Sequence, residues 1–176
     1  FSEASGWNNP PSSFSPLKEA SFTIQVEDSQ NKKIQVLAYD STNDQKKNYD
    51  KFIVTSNKTI DHKGVSPKEW GSVSLQVKEN QTAGFWFKFT SADPGLNKEA
   101  AMYRSEVTSG LIDGPKGFPE QVRTKFGFFP PQDDDMALEK GWISRKEYEE
   151  ISERFVNWVA DVSLFIKNEY QPDLLM

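Results

Sequence analysis

Residues 143–170 read ISRKEYEEISERFVNWVADVSLFIKNEY, and the periodicity of this stretch decides the fold class. Tyr148, Ile151, Phe155, Trp158, Val159, Val162, Phe165 and Ile166 recur at steps of three and four. That spacing gathers side chains on one face of an α-helix. Ser144 followed by Glu147 is a capping box, in which each side chain satisfies a backbone N–H that the first turn leaves orphaned. Pro172 then ends the element, because proline has no N–H to donate and holds the residue before it extended. The pattern predicts an amphipathic helix of about six turns whose wide apolar stripe lies across a sheet.

Upstream the period changes from 3.6 to 2. In SFTIQVED (21–28) Phe22, Ile24 and Val26 alternate with polar residues, and in KIQVLAYD (33–40) Ile34, Val36 and Ala38 do the same. The turn residues between them predict a hairpin. KFIVTS (51–56), SVSLQVKE (72–79), AGFWFKFTS (83–91) and AAMYRSEVTSG (100–110) continue the series. Gly and Pro recur too closely over 110–136 for one regular element. The expected fold is α+β: a twisted antiparallel sheet of about six strands packed by the long C-terminal helix, with a Gly/Pro-rich loop region. Residues 1–20 read as an irregular leader that Trp7, Phe14 and Leu17 pin across a surface, and 21–176 as a single domain.

Composition narrows the chemistry. The chain has 176 residues, 13% of them aromatic, enough to pack a core despite a polar average. A net charge of −5 with no Lys/Arg block leaves no electrostatic footprint for nucleic acid. No apolar run approaches the ~20 residues that cross a bilayer. With no cysteine, disulfides, thiol catalysis and thiolate metal sites are excluded, and His62 alone cannot build a multi-histidine zinc cage. His62, beside Asp61 in a polar stretch, reads as a solvated loop residue. Asp133, Asp134 and Asp135 diverge in direction, which suits a loop or a helix N-terminus better than a metal cluster. Phe85, Phe87 and Phe89 share one strand face and read as core, while Trp86 points the other way and is the candidate exposed aromatic for stacking on a sugar.

Three segments carry a resemblance: GFWFKFTSADPGLNKEAAMYRSEVTSGL (84–111), FPEQVRTKFGFFPPQDDDMALEKGWISRKEYEEI (118–151) and RFVNWVADVSLFIKNEYQPDLLM (154–176). Over roughly residues 67–176 the chain resembles an inserted region of the type I phosphodiesterase/nucleotide pyrophosphatase family, in the alkaline phosphatase superfamily. There a Phe-x-Phe strand, a strand ending in Tyr, a Gly/Pro-rich passage and a helix lead into a strand of type Tyr-x-Pro-Asp-Leu-Leu. The resemblance implies a non-catalytic cap domain beside a parent catalytic domain that holds two zinc ions and hydrolyses phosphodiester or nucleotide substrates. The nucleophile and metal ligands fall outside the matched positions, so no catalytic or metal residue carries over and the isolated chain is expected to be inactive. Tyr103, Arg104, Phe129 and Asp134 are the substrate-facing candidates; a bidentate phosphate contact is open to Arg104, although a surface salt bridge is the commoner use of such an arginine. Where family members often show a Gly-Met-Pro-like stretch, this chain has FFPPQDD (128–134).

The same reading takes Leu174–Met176 as the stub of a parent-sheet strand and, since Phe1 is no initiator Met, the chain as processed or excised. The family implies an extracytoplasmic location, with Asn57 and Asn80 in triplets that fit glycosylation. Two other classes stay open: a free-standing carbohydrate-binding β-sandwich that uses Trp86, and a protein-interaction domain that uses the leader or the 110–136 loop.

Overall fold

The computed structural model describes residues 1–26, 30–78, 81–98 and 100–173. In chain order the strands are β1 (Ser2–Glu3), β2 (Lys18–Val26), β3 (Gln30–Tyr39), β4 (Lys51–Thr55), β5 (Trp70–Lys78), β6 (Gln81–Ser91), β7 (Ala101–Arg104) and β8 (Thr108–Leu111). Among the described residues three helices follow: α1 (Phe118–Phe126), α2 (Asp135–Glu139) and α3 (Arg145–Tyr170). The class is α+β as the periodicities require. In place of one sheet of about six strands there are two four-stranded sheets, β1-β2-β3-β4 and β5-β6-β7 with β8 also paired to β6. The strand expected over 100–110 is broken: between the pairs Phe87↔Arg104 and Gly84↔Thr108 it holds three residues where β6 holds two. The extra residue is a bulge, which interrupts the ladder and leaves two short strands.

The chain divides into two compact units, Phe1–Val73 with Trp86–Arg104, and Ser74–Phe85 with Ser105–Met176. In the first unit, β2 obeys its alternation, with Ile24 and Val26 buried. β3 does not, because Val36, Leu37, Ala38 and Tyr39 are all buried. The leader explains the difference. Ala4, Trp7 and Leu17, with Ile60, pack on Leu37, Tyr39 and Ile53, so this end of β3 is covered on both faces. On the other face Phe52 stacks on Phe89 with ring centroids 4.3 Å apart.

The leader is therefore part of the fold. β1 pairs antiparallel with β2 through Ser2↔Glu19 and Glu3↔Lys18. The Trp7 indole donates to Glu19 at 2.6 Å, and Lys58 Nζ donates to Glu19 at 2.7 Å and to the Ser5 carbonyl at 2.9 Å. The Lys58 ammonium beside it, helped by Trp7 and the Ser5 N–H, holds the Glu19 carboxyl below its ordinary range against the opposing effect of burial. Phe14 does not share in this: it is 61% exposed, so only Trp7 and Leu17 do the pinning.

A second tie is buried. The Ser15 hydroxyl donates to Asp40 at 2.6 Å, and the Thr42 N–H and hydroxyl donate to the other Asp40 oxygen. Asp40 is fully buried, and these donors, Ser15 first, hold its carboxyl below the usual range. A carboxyl with a folded value below the unfolded value of about 3.9 stabilises the fold above that pH, and the gain is lost as pH falls through the folded value. Urea midpoints measured from about pH 5 to pH 2 should thus fall less steeply for Asp40→Asn than for the unmodified chain. An unchanged acid limb would show that other carboxylates carry it.

In the second unit α3 begins with the predicted capping box: Ser144 N–H donates to Glu147 at 2.7 Å, and Glu147 N–H donates to Ser144 Oγ at 3.3 Å. Its buried face is Ile151, Val162 and Phe165. Val162 and Phe165 pack with Val122 of α1, and Phe118, Phe126, Trp158, Ile166 and Tyr170 close around them. Part of the stripe thus packs helix on helix, against α1. α1 forms inside the Gly/Pro-rich passage and supplies this apolar face through Phe118, Val122 and Phe126. Trp158 and Phe155 are half-buried and Val159 is 39% exposed. The strand expected of Leu174–Met176 lies outside the described residues.

This packing sets a graded expectation for denaturant unfolding. Phe165→Ala should cost about 3–5 kcal/mol, the penalty for emptying a buried aromatic site. Val159→Ala should stay within about 0.5 kcal/mol. Equal effects at the two positions would contradict the assignment of the buried face.

Candidate functional site

Tyr103 and Trp86 lie on strands of the first unit, and their surroundings follow from register. β7 runs antiparallel to β6 with Lys88 opposite Tyr103 and Phe87 opposite Arg104. Phe85, Phe87 and Phe89 are buried, as phenylalanines on one strand face should be. On the alternate positions Trp86 is half-buried and Lys88 is 9% exposed. Tyr103 is 7% exposed, and its ring meets Trp70 edge-on at 5.8 Å. Lys88 places its ammonium 5.1 Å above the same Trp70 ring, a cation–π contact in a partly desolvated setting. Arg104 is exposed at the end of β7. The face with Tyr103, Trp70 and Lys88 combines aromatic edges with a lysine, whereas Arg104, paired with Phe87, belongs to the opposite face of the strand.

Phe129 and Asp134 lie in the second unit, where both have structural work. Phe128 is buried over Gly84 of β6, and a Cβ at Gly84 would overlap the Phe128 ring. A Cβ at Gly110 of β8 would stand 3.0 Å from the Cβ of Phe129. The Thr108 hydroxyl donates to the Phe129 carbonyl, and the Phe129 ring meets Phe155 at 5.8 Å and Trp158 at 5.2 Å, both edge-on. The Trp158 indole donates to the Phe126 carbonyl at 3.0 Å. Phe129 is therefore a half-buried wedge between a strand pair and α3.

Asp134 caps α2, accepting from the Ala137 N–H at 2.9 Å, which is the helix N-terminal role open to the Asp133–Asp135 run. Asp133 accepts from the Tyr148 hydroxyl at 2.6 Å. That bond, with Asp135 nearby, pushes the Tyr148 phenol well above its ordinary range and holds the Asp133 carboxyl low. Among the described residues no three His, Cys, Asp or Glu side chains converge in a way that could hold a metal ion. His62 sits in an exposed stretch with Nδ1 2.7 Å from Asp61. The hydrogen bond to His62 holds the Asp61 carboxyl below its ordinary range.

Of the four substrate-facing candidates, Tyr103 and Arg104 belong to one unit and Phe129 and Asp134 to the other. Sequence reasoning missed Trp70 and Lys88. The signal for Lys88 was present, since it lies two residues from Trp86 on the strand face opposite the phenylalanines. Trp70 carried no such signal, because its place beside Lys88 and Tyr103 depends on how separate strands lie together. Among the described residues no helix is long and apolar enough to cross a membrane. No family model, curated protein or solved structure matches the chain.

Proposed function

We propose that the chain is a non-catalytic insert, or cap, domain of a type I phosphodiesterase/nucleotide pyrophosphatase-like hydrolase. In this reading the parent catalytic domain carries out zinc-dependent hydrolysis of a phosphodiester or pyrophosphate bond, and the cap shapes access to it. The observation that carries the proposal is the order of elements. A strand with Phe85, Phe87 and Phe89 is followed by an antiparallel strand bearing Tyr103, then by the wedge segment, then by a capped helix that ends before Pro172. This is the order the resemblance requires of residues 67–176.

The described residues do not fit the two zinc ions, since no set of three ligating side chains converges. The metals belong, in this proposal, to the parent domain, and no chemical step is assigned to this chain. Phe129 and Asp134 are committed to the wedge and the helix cap. Arg104, exposed at the end of β7, is the proposed phosphate contact. An extracytoplasmic location follows from the family reading alone. The carbohydrate-binding alternative relies on an exposed Trp86, and the half-buried ring weighs against it.

The test uses a chromogenic nitrophenyl phosphodiester with and without added zinc. The 176-residue chain should show no metal-dependent hydrolysis, whereas the full-length encoded protein should hydrolyse the ester and lose activity to a chelator. In that full-length protein Arg104→Ala should raise KM more than it lowers kcat, the signature of lost ground-state binding. Zinc-dependent turnover by the isolated chain, or a full-length protein inert toward phosphodiesters, would overturn the proposal.

A further inference from the structure

Helix α3 carries a second pattern, on the side away from Ile151, Val162 and Phe165. Glu153, Val156, Ala160, Leu164 and Lys167 are all exposed. They follow one another at steps of three, four, four and three, so they form a single stripe along the helix. Val156 is 61% exposed and Leu164 55% exposed, which is unusual for two large aliphatic side chains on one helix face. Glu153 and Lys167 make no ion pair with any described residue, whereas the neighbouring Glu149 is held by Arg145 at 2.9 Å.

The stripe is symmetric about Ala160. Turned end for end, it places an apolar residue four positions to either side of the alanine and opposite charges seven positions to either side. We propose that this face binds a second copy of the chain, as an antiparallel α3–α3 pair with its twofold axis at Ala160. Val156 then meets the partner's Leu164, and Glu153 meets the partner's Lys167, each contact occurring twice as a twofold interface demands. The small side chain of Ala160 lets the two backbones approach at the axis. A parallel pair would set Glu153 against Glu153, so the charges select the antiparallel arrangement. The helix dipoles favour the same sense. A patch this narrow belongs to the weak, transient class of interfaces.

Sedimentation velocity of the 176-residue chain, from about 10 μM to about 1 mM, reads this association in the range expected of weak contacts. The mean mass should rise above the 20.1 kDa of the monomer toward twice that value. Leu164→Glu, at an exposed position, should hold the chain at the monomer mass across the range, with circular dichroism confirming an intact helix. Lys167→Glu and Glu153→Lys should each weaken association about tenfold, and the double exchange should restore it. A chain that stays monomeric throughout overturns the proposal. So does a dimer that neither Leu164→Glu nor the single charge reversals disturb.

Discussion

The seating of Phe128 and Phe129 against two glycines is the constraint on which the Ser74–Phe85/Ser105–Met176 unit depends. Gly84 has no side chain because the Phe128 ring occupies that space, and Gly110 gives way in the same manner to Phe129. Glycine inside a strand weakens it and marks a close approach of other chain, and here the approaching chain is the wedge segment. Once seated, Phe129 offers its ring to Phe155 and Trp158 of α3, while the Phe126 carbonyl accepts from the Trp158 indole. The wedge therefore fixes where α3 lies along its length. α1, immediately before the wedge, is brought against the buried stripe of α3 by the same placement.

The other unit rests on a different device. Its sheet is built from alternating strands, yet the end of β3 is apolar on both faces and would be unstable if one face met water. The leader covers it with Trp7 and Leu17, and the Glu19–Lys58 pair holds the Trp7 indole in place. The pair is only partly exposed and shares its carboxylate among three donor groups. It is thus better placed to contribute than an isolated surface ion pair, which adds little. Ser15 and Asp40 add a buried tie at the other end of the leader, and the Tyr49 hydroxyl donates to the Pro16 carbonyl at 2.7 Å.

Much of this was legible in the residues. The capping box at Ser144, the period of α3 and the Phe row of β6 each rest on local rules, and each appears where those rules place it. What escaped were features set by partners distant in sequence. The double burial of β3 depends on a leader whose Ser, Pro and Asn content looks irregular. The bulge between β7 and β8 depends on counting residues across to β6, which no single strand reveals. α1 was hidden by density of Gly and Pro, although Gly117, Pro119 and Gly127 bracket it as a proline near the start and a glycine past the end should. The candidate site divided along the same line. The Asp133–Asp135 run was correctly open to a helix N-terminal role because capping is local, whereas the wedge role of Phe129 needed Gly84, Gly110 and Trp158 together.

The wedge is most directly tested at the Trp158 indole N–H, whose hydrogen bond to Phe126 exists only if Phe129 and α3 are seated as described. By NMR, that proton should exchange at least about tenfold more slowly than an exposed indole, and should slow further with the buried amides of α3. Its ring should also show nuclear Overhauser contacts to the Phe129 ring. An indole N–H exchanging at the rate of free tryptophan, with no contact to Phe129, would contradict the account.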